Sequence, residues 1–98
     1  MGGDESPVAP PTVVVVLPRA LLDLFPEAVR EVTLSASTVG AMIDVLDARW
    51  PGMRDRLCDS TPSIRRHLNI FVDGRRATLE TCLTPDARIY VLTAMSGG

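Results

Sequence analysis

At 98 residues the chain is one domain's worth, enough for a single core that needs neither a metal nor a disulfide to hold it. A formal net charge of −2 argues against nucleic acid or an anionic membrane as the main partner, and no apolar run is long enough to span a bilayer. The composition is 46% apolar with only two Phe, one Trp and one Tyr, so the core has to be aliphatic.

Met1 to Pro11 is rich in Gly, Pro and acid and has neither a basic start nor a signal-type apolar stretch. It reads as a flexible leader, residues 1–11, on a cytoplasmic protein that is a monomer when free. Thr12 to Leu17 is a β-branched run that predicts a strand buried on both faces or set in the centre of a sheet, ended by Pro18. Residues 19–28 lack clean periodicity and read as a loop with a helical turn. Residues 29–35 alternate Val29, Glu31 and Thr33 against Arg30, Val32 and Leu34, which predicts a second strand in a hairpin with the first.

The clearest helix follows. Ser37 or Thr38 can serve as its N-cap, and Val39, Met42, Ile43, Leu46 and Trp50 recur at spacings of three and four to make one apolar stripe. Asp44, Asp47 and Arg49 lie off that stripe, and Pro51-Gly52 ends the helix. Met53 and Leu57 suggest a short second helix or turn. Asp59 to Ser63 reads as a loop, and Asp44, Asp47, Asp55 and Asp59 as solvated acids. Leu68 to Val72 reads as a third strand with an Asp73-Gly74 turn behind it. Leu79 and Leu83 belong to a short strand or an irregular segment, and Pro85-Asp86 makes another turn. Arg88 to Ala94 is the last strand, running directly into Met95-Ser96-Gly97-Gly98.

One long helix cannot bury its stripe alone, and the sheet needs one face covered. The order strand, strand, helix, strand, short element, strand therefore predicts an α+β fold of the β-grasp type, a mixed sheet on one main helix over residues 12–94 with a flexible C-terminal tail over 95–98. Strand alternation turns Ile70, Val72, Ile89 and Val91 towards the helix. It leaves Phe71, Tyr90 and Leu92 on the outer face, where an exposed apolar cluster marks a docking surface and buried packing under loops is the plainer alternative.

The remaining chemistry-bearing residues form no active site. Cys58 and Cys82 belong to no metal or redox spacing, and a disulfide between them would need Cα atoms within about 7 Å. His67 is the single histidine and has no ligand-type neighbour, so no metal site is expected. The glycines make no phosphate loop. Arg65 and Arg66 either meet acids on a partner or are solvated charges. All ten basic residues are Arg, so the chain carries no ε-amine through which it could be linked to a copy of itself.

Several stretches together resemble the MoaD/ThiS-type ubiquitin-like sulfur carriers, and among them the CysO-type carriers. They are Val16-Leu17-Pro18, Ser37-Thr38-Val39-Gly40-Ala41-Met42-Ile43, and Trp50-Pro51-Gly52-Met53-Arg54-Asp55-Arg56-Leu57. Ile64 to Gly74 around the third strand, and Val91-Leu92-Thr93-Ala94-Met95-Ser96-Gly97-Gly98, complete the match. Thr93 departs from a Pro common in family tails, and Asp73-Gly74 from an Asn. Neither departure touches the terminal diglycine.

The resemblance implies a protein co-substrate with no active site and no bound cofactor. An activating enzyme would use ATP and magnesium to adenylate the Gly98 carboxylate, and a sulfur donor would convert it to a thiocarboxylate. A client enzyme would then use that sulfur, with cysteine synthesis suggested and pterin, thiamine or natural-product sulfur incorporation open. Gly98 would carry the reaction and Gly97 would give clearance for it. Met95 and Ser96 would be tail contacts beside the Phe71, Tyr90 and Leu92 patch. Two other functions use the same chain, a ubiquitin-like modifier joined to lysines through Gly98 and a non-catalytic interaction domain.

Overall fold

The computed structural model describes residues 9–59 and 64–93. Strand β1, Thr12–Val16, pairs antiparallel with β2, Glu31–Ser35, in the register Val14 to Thr33 and Val16 to Glu31. Pro11 O accepts from Ala36 N at 3.1 Å, so backbone pairing starts one residue before the expected strand. Strand β5, Arg88–Thr93, lies parallel to β1 and antiparallel to β3, Leu68–Val72. Strand β4, Arg75–Arg76, closes the edge, and the sheet order is β2-β1-β5-β3-β4. This is the expected mixed β-grasp sheet.

Helix α2, Val39–Arg49, covers one face. Its stripe is fully used: Val39, Met42, Ile43 and Leu46 are all at 0% exposure, and they join Val13, Val15, Ile70, Ile89 and Val91 in a single aliphatic core. Trp50 packs on that core only partly buried, as the helix C-cap. The start of α2 has its free backbone donors satisfied. Thr38, the N-cap, takes Ala41 N on Oγ1 at 3.1 Å, while Val39 N and Gly40 N bond to Thr81 O and Leu79 O at 3.0 and 2.9 Å. Gly40 permits that approach, because a Cβ there would sit 3.3 Å from the Leu79 carbonyl oxygen.

Several elements differ from the sequence reading. Residues 19–28 contain a true helix, α1, Arg19–Leu24, which buries only Leu21. Pro18 starts it with φ already at −79° and an extended ψ, and six residues with one buried position leave too little periodicity to read. Strand β2 begins at Glu31; Val29 stands before it, exposed. Strand β4 carries no strand signal in the sequence, because both of its residues are exposed arginines. It forms because Asp73 and Gly74 take φ of 50° and 86°, the paired positive values of a tight hairpin turn whose twist matches the strands. Leu79 and Leu83 lie in an irregular segment that serves to cap α2.

Met53 and Leu57 do form a short helix, α3, Met53–Leu57, and both are fully buried. The reading of the acids as uniformly solvated needs correction here. Asp47 Oδ1 accepts from Gly52 N at 3.1 Å and from Arg54 N at 2.9 Å, tying the end of α2 to the start of α3. Asp44 is ion-paired with Arg54. Gly52 precedes α3 at φ 102°, so no side chain of its own can cap that helix and Asp47 substitutes for one. Asp47→Ala is therefore expected to cost about 1 kcal/mol, the usual worth of a lost cap. Urea unfolding checks it; an unchanged midpoint would show that water replaces the carboxylate without loss.

The expected leader, loop and tail lie largely outside the described residues: 1–8, 60–63 and 94–98. Among the described residues no helix is long and apolar enough to cross a membrane.

Candidate functional site: the outer sheet face

Strand register decides which side chains share the uncovered face. Phe71 stands directly opposite Tyr90, and Asn69 opposite Leu92. Side chains two apart on one strand share a face, so Phe71, Tyr90 and Leu92 form one cluster. Ile70, Ile89 and Val91 point the other way at 0–1% exposure, with Val72 partly buried on the same core. Tyr90 is 40% and Leu92 44% exposed, although both lie in a strand that is bonded on either side. Phe71 is half-buried. The structure thus brings together the three residues expected to meet a partner. Met95, Ser96, Gly97 and Gly98 lie outside the described residues.

The face has members the sequence did not single out. Val16 pairs with Tyr90 and Val14 with Arg88, so both valines belong to this side of β1. Val16 is buried yet stands outside the aliphatic core. A run of four valines shows no alternation, so nothing in the sequence separates inward Val13 and Val15 from outward Val14 and Val16. Arg88 borders the cluster with its guanidinium carbon 5.9 Å from the Tyr90 ring centre, and it pairs with Glu31 at 3.2 Å across β1. These contacts give the apolar cluster a charged margin.

Other candidates fall away from this face. His67 is exposed, and among the described residues no group of three His, Cys, Asp or Glu side chains is placed to hold a metal. Both cysteines are free thiols. Cys58 is buried, and desolvation raises its pKa against a smaller opposing pull from Arg54, while Cys82 is exposed. A thiol reagent near neutral pH should consume one thiol in the native protein and two after denaturation, because thiolate is the reactive form. Rapid reaction of both in the native state would contradict the burial of Cys58.

The sheet order β2-β1-β5-β3-β4 on one helix defines a ubiquitin-like β-grasp protein. No family model matches the chain. The sulfur carrier protein CysO of Mycobacterium tuberculosis is 32% identical over 75 residues, spanning 70% of this chain and 81% of the relative. Its crystal structure superimposes with a TM-score of 0.75 at 27% identity, covering 85% of this chain and 99% of that one. CysO of Amycolatopsis orientalis, solved in complex with BexX, reaches 0.78 at 24% identity over 88% and 99% of the two chains. SAMP1 of Haloferax volcanii reaches 0.74 at 21% identity over 89% and 99%, which speaks for the fold alone. The chain belongs to the CysO-like sulfur carriers of the MoaD/ThiS type.

Proposed function

We propose that this sulfur carrier works through the carboxylate of Gly98, as a co-substrate without catalytic machinery of its own. The observation that carries the reading is the kinship with CysO over 75 residues, joined to a sequence whose last residues are Gly97-Gly98. The carboxylate would attack the α-phosphorus of ATP on an activating enzyme that supplies magnesium, forming an acyl-adenylate and releasing pyrophosphate. A sulfur donor would then displace AMP at the same carbon and leave a thiocarboxylate. The client, a sulfur-incorporating biosynthetic enzyme, would use the terminal sulfur as its nucleophile. The resemblance to CysO-type carriers favours cysteine formation as the destination.

The residue types suit these steps. An acyl-adenylate in open water hydrolyses, so the reacting end has to enter a closed site. Glycine offers no Cβ to obstruct a narrow channel and accepts backbone angles that other residues avoid. The activating enzyme would dock on Phe71, Tyr90 and Leu92, with Met95 and Ser96 as tail contacts. Single exposed apolar residues are ordinary, whereas contiguous ones mark an interface. Thr93 ends β5 beside this patch, and five further residues span at most about 18 Å when extended, so an enzyme seated on the face would have its catalytic centre within that reach.

Intact mass spectrometry tests the reading. Incubation with a CysO-type activating enzyme, ATP, magnesium and sulfide should raise the chain's mass by the difference between sulfur and oxygen. An unchanged mass would sink the proposal, and so would Gly98 found only in isopeptide linkage to lysines of other proteins, the behaviour of a modifier.

A further inference from the structure

The arginines are unevenly distributed. Four of the ten, Arg65, Arg66, Arg75 and Arg76, flank one edge of the sheet in a chain of net charge −2. The ion pairs among the described residues, Arg54 with Asp44 and Arg88 with Glu31, use none of these four. Arg65, Arg66 and Arg76 line a cleft of about 390 Å³ together with Ile64, Leu79 and, among the described residues, a single carboxylate, Glu80. Two of the three guanidiniums are held in place: Arg65 Nε donates to Asp55 O at 2.8 Å, and Arg76 donates to Asn69 Oδ1. A guanidinium has five N–H donors, so one bond to the protein leaves four for something else. Like charges gathered in one cleft also repel, and a ligand bearing carboxylates relieves that repulsion.

The cleft is continuous with the outer face. Arg76 stands opposite Phe71, and Asn69 opposite Leu92. A protein seated on Phe71 and Leu92 therefore meets the arginines one strand further out. We propose that the cleft receives an acidic segment of the partner protein, its carboxylates on Arg65, Arg66 and Arg76 and an aliphatic side chain against the half-buried Ile64 and Leu79. This deepens the docking role given above to the outer face and names the chemistry of the partner's contact. A nucleic-acid strand fits poorly, because no described residue of the cleft is an aromatic on which a base could stack.

Amide chemical shifts of the full chain, titrated at low salt with acetyl-Glu-Glu-Leu-Glu-Glu-amide, give the test. Saturable shifts confined to residues 64–70 and 76–80 are expected. Arg66 is exposed and bonds to no described side chain, so Arg66→Gln should fold normally while binding the peptide about fivefold more weakly, the equivalent of one exposed ion pair. Arg66→Glu should weaken it further. Equal shifts with sodium sulfate at the same concentration would overturn the proposal, showing a site for any small anion. Shifts spread equally over Arg19, Arg30 and Arg49 would do the same, showing charge attraction without a site. The titration does not involve Gly98, so failure of sulfur loading leaves it standing, and its own failure leaves sulfur loading untouched.

Discussion

A chain lacking Gly98 should unfold at the wild-type midpoint and take up terminal sulfur at least about a hundredfold more slowly. The first half follows from where the core is. Every described residue of the aliphatic cluster falls between Val13 and Val91, and a glycine has no side chain to add to it. The second half follows from reach. The shortened chain still ends in a glycine carboxylate, but the reacting carbon is withdrawn by one residue, about 3.5 Å. Misplacement by even 1 Å can cost a factor of about a hundred when a reaction depends on alignment. Gly97→Val separates clearance from reach: its carboxylate is at full length, and a branched side chain stands where the channel would be narrow. It should load poorly despite keeping Gly98. Mass spectrometry over time reads all three chains, and wild-type loading of the truncated one would rule out Gly98 as the reacting residue.

Leu46→Ala should destabilise the domain by about 2–5 kcal/mol, whereas Leu92→Ala should cost well under half of that. Leu46 is fully buried in the middle of the α2 stripe, and its removal leaves a hole between the helix and the sheet. For a domain of this size, total stability is on the order of 5–15 kcal/mol, so the loss is a large share of it. Each kcal/mol corresponds to a drop of about 4–8 °C in the melting midpoint. Leu92 is 44% exposed on the outer face and gives up little burial. Its loss should appear instead as weaker binding to the activating enzyme, with Phe71→Asp or Leu92→Asp stronger versions of the same effect. A Leu92 variant that binds with wild-type affinity would remove the outer face from the docking surface. A Leu46 variant as stable as wild type would mean that the core closes over the gap.

These two leucines mark how much the chain reveals by itself. Leu46 was legible as core because Val39, Met42, Ile43 and Leu46 repeat at helical spacing, and only one side of a helix can satisfy that pattern. The inward and outward sets of β3 and β5 were legible for the same kind of reason, since alternation is a property of the strand backbone. The β-grasp order followed from counting elements, and the terminal diglycine is plain in the sequence. Val14 and Val16 were not assignable, because four consecutive valines carry no alternation. Asp47 looked like any solvated acid, since its partners at Gly52 and Arg54 become neighbours only once the chain turns at Pro51.

Local periodicity thus determined the helix and the principal strands, and the resemblance carried by several stretches, not the diglycine alone, pointed to the residue expected to react. Tertiary structure alone decided which further residues join the outer face and what borders it. The parallel pairing of β1 with β5 brings Val16 beside Tyr90 across more than seventy residues of sequence, and the hairpin at Asp73-Gly74 sets Arg76 opposite Phe71. Arg65, Arg66 and Arg76 come to share one cleft for the same reason. Such juxtapositions depend on register between distant segments. Register is set by the burial of one whole face against α2, which no short stretch of sequence contains.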